Sequence, residues 1–474
     1  MLRVLATLTA VIVGHAAIAQ DQVALTGDNI NVSGQIIGFD GATYSVFDGT
    51  QVQSVAADDV SCAGDGCPPA KFSVAEADGY TGLLKSLLES FAITLDFDTE
   101  DTGDTLKLSK NNTLIAEIKV GAVADGPSIS LLSGNIEDGA QIIAWDALVL
   151  AGSQDPLVSG LTADQIASAM SGDVLQWLAF GGPDVPISLH RGPLPTGATA
   201  MATELGWQTT GEGTNHPRLR DTADAVANAP YGLALMPRSQ LRAAKAIALA
   251  GKCGIPSAPE NFDIAAGSYL PSYPVWARPS AAQLPWLGQE FLGFLSNPTA
   301  AAILQDAGLV PTSIQTASLN QQGQRLANSI LAIGAEVPLE DVQALTRMMS
   351  GAKRLSTTFR FAAGSTELDA ASRLVVENLV AALILGTYAD KVIHLAGFSD
   401  AAGTQSVNKG LSAKRAEAVR AALIAAAPDG LLDGVSFEIA GYGEASPLVC
   451  PDALNAASIN RRVEVWVKDR EQTQ

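Results

Sequence analysis

Residues 397–415, GFSDAAGTQSVNKGLSAKR, decide how the C-terminal part of this chain folds. They follow the apolar run 392–396 and lead into the alanine-rich run 416–427. The first run predicts a buried strand and the second a helix, so we expect a strand-to-helix loop that holds polar groups. Asp400 lies just past the strand, and Arg415 lies near the predicted start of the helix. A carboxylate and a guanidinium held apart on one frame suit a ligand that carries both an ammonium and a carboxylate group.

The stretch carries a motif of the form G-x-[ST]-D-x-x-G-x-x-x-x-N-x-x-L-S-x-x-R-A. Its members are Gly397, Ser399, Asp400, Gly403, Asn408, Leu411, Ser412, Arg415 and Ala416. Over about residues 354–468 the chain resembles the OmpA-like peptidoglycan-binding domain. That family's opening is similar to residues 359–369, and its closing N-R-R-V-E is similar to residues 460–464. The resemblance implies that Asp400 and Arg415 bind the diaminopimelate part of the wall peptide.

Other residues of this motif have roles that the sequence leaves open. Asn408 either contacts the ligand or caps the loop. Of Arg461 and Arg462, we expect one to face the site and the other to face solvent. The alternative for Asp400 and Arg415 is an internal ion pair, and we favour ligand binding because the surrounding motif matches at many positions. Residues 398–399 read Phe-Ser where His-Thr is common in the family, which leaves both charges in place.

The chain is long, acidic and begins like an exported protein. Its 474 residues exceed what one core holds, so we expect a multidomain protein of α/β and α+β class. A net charge of −20 argues against nucleic acid or anionic lipid as partners. Arg3, the apolar run 4–13 and Ala17-Ile18-Ala19 predict a cleavable signal peptide at residues 1–19. That apolar run is too short for a membrane span, and we expect no transmembrane segment.

We divide the mature chain into four parts. They are a small β-domain at 20–70, an α/β domain at 71–314, a helical linker at 315–353 and the OmpA-like domain at 354–474. In the first, Asp40-Gly41 and Asp48-Gly49 separate alternating apolar runs, which predicts hairpins in a structural or partner-binding module. From residue 71 strands and helices alternate, which predicts a parallel sheet. The linker begins with a polar, solvated stretch and continues as helices at 325–334 and 339–350.

The four cysteines belong to an oxidising compartment if the signal peptide acts. Cys62 and Cys67 bracket Ala-Gly-Asp-Gly, a turn that brings them within disulfide range, and we expect this bond. Cys253 and Cys450 lie in different predicted domains. They either bridge the domain interface or remain two buried thiols, and the sequence favours neither.

A second set of motifs lies in the α/β domain. They are Ala147–Ala151 with Leu161-Thr162, Gly181-Gly182-Pro183-Asp184, Pro230-Tyr231-Gly232, GSYLPSYP at 267–274 and AGLVPT at 307–312. Over about residues 71–313 the chain resembles the phosphate-binding proteins of ABC importers. The resemblance implies a two-lobed clamshell of the type II periplasmic binding fold, with a ligand between the lobes.

The resemblance also implies a set of solute-binding residues. Asp146 matches a carboxylate that accepts an acidic proton, and Arg191 matches an arginine that precedes an S-G-T turn. Here the turn reads Leu-Pro-Thr-Gly-Ala, so Thr196 alone keeps a hydroxyl and Gly197 follows it. Pro195 removes a backbone donor. We therefore expect a solute site at Asp146, Arg191, Thr196 and Gly197, although Asp146 alternatively makes structural bonds only.

The first donor loop of that site departs further from the family. It reads Ala-Glu-Ala-Asp-Gly at residues 75–79, where the family has glycine, serine and threonine. Carboxylates of Glu76 and Asp78 beside an anion would cost about 1 kcal/mol or more each. We therefore favour an altered or degenerate site over tight phosphate binding. Either the ligand differs, being cationic or sugar-like, or the cleft no longer binds a solute.

These observations together predict a non-catalytic periplasmic protein with no cofactor. Its OmpA-like domain anchors it to peptidoglycan, at the cell wall and outer membrane, while the clamshell binds phosphate, another oxyanion or another small solute. The alternative is a structural adaptor whose clamshell binds envelope proteins. No Ser-His-Asp, Cys-His or phosphate-loop pattern supports an enzyme. His190, His216 and His394 share no metal-binding spacing.

Overall fold

A computed structural model describes residues 22–64, 66–76, 80, 82–121, 126–253, 255–323, 337–368 and 370–470. The expected signal peptide at 1–19, the predicted helix at 325–334, Asp78 and Asp369 lie outside these residues. The chain divides into two compact units. The first comprises Met1–Ala75, Leu88–Ser130 and Pro279–Gly293, and the second comprises Glu76–Leu87, Leu131–Arg278 and Phe294–Gln474.

The first five strands form an antiparallel sheet in the first unit. They are β1 (Gln22–Gly27), β2 (Ile30–Phe39), β3 (Thr43–Phe47), β4 (Val52–Ala56) and β5 (Ser61–Ala63), in the order β4-β3-β2-β1-β5. The hairpin predicted at Asp40-Gly41 is confirmed, since the Asp40 carboxylate accepts two backbone N–H bonds of 2.9 and 2.7 Å within the turn. The sequence pattern predicts two short runs, Ile30–Val32 and Gln35–Phe39, but Ser33 and Gly34 between them also pair with β1, so the two runs form the single strand β2.

Residues 70–311 contain both strands and helices, but the predicted alternation is wrong between the first two helices, where the structure describes six successive strands. The strands are β6 (Ala70–Glu76), β7 (Asp98–Asp101), β8 (Thr105–Lys110), β9 (Thr113–Val120), β10 (Ser128–Ser133), β11 (Gln141–Gly152), β12 (Gly160–Leu161), β13 (Ser188–Arg191), β14 (Thr214–Asn215), β15 (Gly232–Pro237), β16 (Lys245–Ala250), β17 (Pro256–Ser257), β18 (Ser272–Pro279) and β19 (Val310–Pro311). The helices are α1 (Leu83–Thr94), α2 (Ala163–Ser171), α3 (Thr196–Glu204), α4 (Leu219–Asn228), α5 (Asn261–Ala265), α6 (Trp286–Phe294) and α7 (Pro298–Asp306).

The pairing of these strands is mixed rather than parallel, which corrects the predicted parallel sheet. Strand β13 is parallel to β14 and β15, β12 is parallel to β16, and β6 is parallel to β9. The long strand β11 pairs antiparallel with β15, β16, β18 and β19. Parallel strands need a crossover connection, and helices α3 and α4 provide it between β13 and β15. The partners of β11 run in the opposite direction to it, so they pair with it antiparallel.

Helix α2 begins where the sequence predicts. The Thr162 hydroxyl accepts the backbone N–H of Gln165 at 3.3 Å, and the Gln165 side chain accepts the backbone N–H of Thr162 at 2.9 Å. This reciprocal capping box satisfies two donors that the helix itself leaves unpaired. The helix then packs Ile166 and Met170 into a buried cluster that includes Trp177.

The C-terminal part of the second unit contains one five-stranded sheet. Its strands are β20 (Thr316–Ser318), β21 (Lys353–Arg360), β22 (Lys391–Phe398), β23 (Ser436–Gly441) and β24 (Arg462–Asp469), in the order β20-β21-β24-β22-β23. Its helices are α8 (Leu339–Met349), α9 (Ala370–Ile384), α10 (Gln405–Ala426) and α11 (Ala456–Asn460). Alternate residues of β22 face opposite sides of the sheet, so α9 and α10 pack around Leu395 while α8 packs around Phe398. The expected α/β and α+β class is confirmed.

Two local predictions about this part of the chain are wrong. Helix α10 begins at Gln405, so Arg415 lies about three turns into the helix and not near its start. Only residues 399–404 connect β22 to α10. The polar stretch after residue 315 is not simply a solvated linker, because β20 pairs with β21 at the edge of the sheet.

Both pairs of cysteines form disulfide bonds. The expected bond between Cys62 and Cys67 is present. Cys253 and Cys450 are also bonded, so the sequence's open alternative of two buried thiols is excluded. Among the residues that the structure describes, no helix has the length and apolar character that crossing a bilayer requires.

Candidate functional site

Asp146, the first residue of the expected solute site, is buried and fully hydrogen-bonded within the protein. One carboxylate oxygen accepts the backbone N–H groups of Ala147 and Ser239, at 2.8 and 3.1 Å. The other accepts the hydroxyls of Ser239 and Tyr80, at 2.6 and 3.3 Å. Burial raises the pKa of Asp146, while the Ser239 bonds and the charge of Arg238 oppose that rise. Asp146 therefore makes the structural bonds that the sequence left as an alternative.

None of the other three expected solute residues bonds directly to Asp146 among the residues that the structure describes. No hydrogen bond or ion pair joins Arg191 to Asp146 in the described part of the chain, and Arg191 donates to the Gly213 carbonyl at 3.1 Å. Thr196 is exposed at the start of α3. Gly197 is buried, and its N–H donates to the Ser133 hydroxyl at 3.0 Å. A donor expected to reach a solute thus already has a partner inside the protein.

The start of helix α1 is likewise occupied by a protein group. The Glu76 carboxylate accepts the backbone N–H of Gly82 at 2.6 Å and the backbone N–H of Leu84. Free N–H groups at a helix start favour anions, and here a side-chain anion takes two of them. Burial raises the pKa of Glu76 and outweighs the opposing effect of these hydrogen bonds. The other carboxylate of this loop, Asp78, lies outside the described residues.

The structure also brings together two histidines that the sequence did not connect. His190 Nδ1 lies 3.0 Å from His216 Nε2, because β13 and β14 are parallel neighbours and each ring lies at or just past its strand. Burial and the neighbouring His216 lower the pKa of His190. The described residues contain no cluster of three or more side chains that could hold a metal ion.

The expected C-terminal site lies at the edge of the sheet where β22 ends and β24 begins. These strands are antiparallel and place Phe398 opposite Arg462, so Asp400 and Arg461 lie just beyond the same edge. The Asp400 carboxylate accepts a hydrogen bond of 2.6 Å from Arg461 Nη1. Their side chains are 20% and 15% exposed, so the pair is partly open to solvent. Arg461 also donates to the Phe361 carbonyl at 3.3 Å.

Arg415 lies beside this pair and is held by backbone carbonyls. Its guanidinium donates to Ser365 O at 2.9 Å and to Ala362 O at 3.2 Å, and its centre lies 5.3 Å from the Phe361 ring. Burial lowers the pKa of Arg415, Arg461 lowers it further, and the Asp400 charge opposes both effects. Arg415 Nη1 is buried and has no hydrogen-bond partner among the described groups. Asp400 and Arg415 are therefore not a closed internal ion pair.

Close backbone packing places Arg415 in this position. A Cβ atom at Gly397 would lie 2.0 Å from the Ser412 carbonyl oxygen, and one at Gly441 would lie 2.4 Å from the Ala413 nitrogen. Glycine at these two strand positions lets α10 approach the sheet at backbone distance. Gly397 of the sequence motif thus has a packing role, because it sets the distance between α10 and the sheet.

Asn408 supports the loop that carries Asp400. Its side-chain amide donates to Glu444 at 2.6 Å and to the Asp400 carbonyl at 3.4 Å, and the residue is buried. Of the two roles left open by the sequence, these bonds match loop capping. Glu444, the partner of Asn408, lies outside the sequence motif and was not predicted to take part.

The prediction for Arg462 is wrong, because this residue faces neither the site nor solvent. It is fully buried, donating to Glu464 at 2.6 Å and to the Ser446 carbonyl at 2.8 Å. Trp466 and Arg354 also contact the Glu464 carboxylate, at 3.0 and 3.4 Å. Arg462 is not part of the candidate site, because successive side chains of β24 point to opposite faces and the Arg462 side chain points into the protein.

Comparison with known proteins identifies the family of this part of the chain. Residues 360–461 match the sequence model of the OmpA family. These residues form an OmpA-family domain. The resemblance that the motif at residues 397–416 suggested is therefore confirmed for this part of the chain, and the OmpA-family domain carries Asp400, Asn408, Arg415 and Arg461.

Solved structures of other proteins are similar to parts of the chain. The peptidoglycan-associated lipoprotein from Burkholderia pseudomallei is 23% identical, over 24% of this chain and 90% of that chain, with a TM-score of 0.21. The periplasmic domain of Helicobacter pylori MotB is 21% identical, over 26% and 77%, with a TM-score of 0.22. An ABC-type phosphate transport receptor from Vibrio cholerae is 15% identical, over 51% and 100%, with a TM-score of 0.39. No curated protein matches the chain in sequence.

Proposed function

We propose that this is a non-catalytic periplasmic protein that binds peptidoglycan through Asp400, Arg461 and Arg415 of its OmpA-family domain. The proposal is carried by the buried Nη1 of Arg415, which has no hydrogen-bond partner among the residues that the structure describes. A buried donor without a partner costs about 1–3 kcal/mol, and a ligand carboxylate that reaches Nη1 removes that cost. The ligand's ammonium group then lies near Asp400, which Arg461 holds in place. A diaminopimelate side chain carries both groups.

Co-sedimentation of the full-length protein with purified sacculi tests this proposal. Arg415→Ala and Asp400→Asn should each lose most of the bound fraction, because each removes one of the two charges that hold the ligand. Arg420→Ala is the matched control, since Arg420 is also on α10 and forms an exposed pair with Glu417 at 2.9 Å. Wild-type sedimentation of both site variants would contradict the proposal.

The location of the protein follows from the same proposal. A signal peptide at residues 1–19 exports the chain, and the wall-binding domain then retains it near the cell wall and outer membrane. Envelope fractionation of cells tests this location. Recovery of the protein in the cytoplasmic fraction, with residues 1–19 still attached, would contradict it.

For the α/β part we propose a protein-interaction role in preference to the phosphate or other solute binding expected first. The support is that Asp146, Gly197 and the start of α1 already have partners inside the protein. An oxyanion would have to displace these bonds in order to reach the donors that make them. Calorimetry with phosphate and related oxyanions should therefore show no heat at millimolar concentration, and no thermal stabilisation.

Glu76→Ala gives this second proposal a sharper test. The substitution frees the N–H groups of Gly82 and Leu84 at the start of α1, which then attract anions. Phosphate should stabilise the Glu76→Ala variant against heat more than it stabilises the wild type. Equal and strong stabilisation of both proteins would show that the α/β part is a solute receptor after all.

A further inference from the structure

Within the second unit, the OmpA-family domain is joined to the α/β part by a covalent bond and by polar contacts. Cys253, which follows β16, is bonded to Cys450, which follows β23. Beside this bond the Lys252 backbone N–H donates to both carboxylate oxygens of Asp452, at 3.0 and 3.2 Å. A Cβ atom at Gly251 would lie 2.3 Å from the Cys450 Cβ, so only glycine allows this approach. The contact is a closely packed one.

Arg360, the last residue of β21, forms the second link between the two parts. One of its terminal nitrogens donates to the carbonyls of Ala266, at 3.2 Å, and Gly267, which follow α5 in the α/β part. The other donates to the carbonyls of Ser458 and Ile459 in α11, at 3.3 and 3.0 Å. The planar guanidinium thus holds backbone from both parts in one fixed arrangement.

The wall-binding residues are the immediate neighbours of this link. Phe361 and Ala362 follow Arg360 directly, and their carbonyls accept hydrogen bonds from Arg461 and Arg415 respectively. On the other side Arg461 directly follows α11, whose carbonyls Arg360 holds. The same two backbone segments therefore support the wall site on one side and the contact with the α/β part on the other.

A third connection leads from the disulfide to the wall site. Asn460 is buried and its amide bonds both the N–H and the carbonyl of Val449, the neighbour of Cys450. Asn460 also directly precedes Arg461, which holds Asp400. Asn460 therefore links the segment around Cys450 to the backbone that carries Arg461.

We propose that binding of wall peptide and docking of the OmpA-family domain on the α/β part are thermodynamically coupled through Arg360. This inference rests on the proposed wall binding. A peptide that engages Arg415 and Asp400 fixes the backbone at Ala362 and Arg461, and so favours the arrangement in which Arg360 holds the α/β part. Coupling of binding equilibria is reciprocal, so docking tightens peptide binding by the same factor. The wall-bound protein consequently holds its α/β part in one orientation.

The alkylation rate of Cys450 measures docking directly. The chain has four cysteines, so Cys253→Ser leaves Cys450 as the single free thiol beside the Cys62–Cys67 bond. Cys450 is fully buried, and a maleimide reaches it only when the contact opens. A soluble peptidoglycan peptide containing diaminopimelate should slow this alkylation about fivefold. In Cys253→Ser/Arg360→Ala the peptide should bind more weakly and no longer slow the reaction.

Three controls make the outcomes distinct. Arg420→Ala in the Cys253→Ser background should keep the full slowing, because Arg420 lies on the surface of α10. Arg360→Lys keeps the charge but lacks the planar fork, and should give partial slowing with the fold intact by circular dichroism. If calorimetry shows that the peptide binds and alkylation is unchanged, the coupling is wrong while the proposed function stands. If the peptide does not bind, the proposed function is wrong and the coupling falls with it.

Discussion

Asp400 is paired with Arg461, and not with Arg415, at a distance of 2.6 Å. Arg461 is fixed in turn by the carbonyl of Phe361, which immediately follows the strand that reaches the α/β part. The partly exposed pair has a carboxylate at the surface, while Nη1 of the buried Arg415 has no hydrogen-bond partner within the described ranges. Arg461 therefore orients Asp400, and under the proposed function Arg415 is the group that binds the ligand carboxylate.

Arg461→Ala should weaken sacculus binding about tenfold, or ~1.4 kcal/mol. The substitution leaves Asp400 and Arg415 in place, but the Asp400 carboxylate loses the partner that orients it. Arg461→Lys restores the positive charge without the bond to Phe361, and should recover part of the loss. Binding isotherms on purified sacculi measure the effect. An Arg461→Ala isotherm that overlays the wild type would mean that Asp400 is oriented without Arg461.

Glu464→Gln should destabilise the protein by about 3–5 kcal/mol, because Arg462 and Arg354 then stay buried without a carboxylate. Chemical denaturation followed by tryptophan fluorescence measures the change, since Trp466 also contacts Glu464. Glu417→Gln, which alters an exposed pair with Arg420, is the control and should leave the unfolding midpoint unchanged. A small loss at Glu464 would imply that water or another group solvates these arginines.

Removal of the Cys253–Cys450 bond should cost more stability than removal of the Cys62–Cys67 bond. The sequence separations are 197 and 5 residues, and the unfolded-chain entropy model gives about 5 and about 2 kcal/mol respectively. Paired serine variants, compared by denaturant unfolding under non-reducing conditions, measure the difference. Equal losses would show that native contacts, and not loop length, set the contribution of these bonds.

Asp146 should make stability depend on pH in a defined direction. Because burial raises its pKa above the ordinary value of 3.8, the folded protein binds this proton more tightly than the unfolded chain does. The contribution of this proton to the free energy of unfolding is complete below pH 3.8 and is lost as the pH rises through the raised pKa of the folded state. The stability difference between wild type and Asp146→Asn, from urea unfolding at several pH values, should therefore fall over this window.

Ser239→Ala provides the matched test of that explanation. The Ser239 hydroxyl donates to Asp146 at 2.6 Å and opposes the rise in its pKa. Its removal should therefore raise the pKa further and extend the pH window upward. A window that moves down instead would mean that the Ser239 hydroxyl does not oppose the rise in the pKa of Asp146.

The sequence by itself determined the α/β and α+β class, the hairpin at Asp40-Gly41, the cap at Thr162 and the Cys62–Cys67 bond. Each depends on residues close together in the chain, where backbone preferences and short side-chain bonds decide the outcome. The OmpA-family domain was recognisable for a related reason, since its spaced motif keeps fixed residue types along the chain.

Only the tertiary structure decided which residues act together at the site. It paired Asp400 with Arg461, buried Arg462 against Glu464, and joined Cys253 to Cys450. Such partners are remote in sequence or differ only in which face of a strand they occupy, and the packing of whole elements sets both. Side-chain alternation separates neighbours such as Arg461 and Arg462 completely, and a motif that names both residues cannot say which one the fold turns inward.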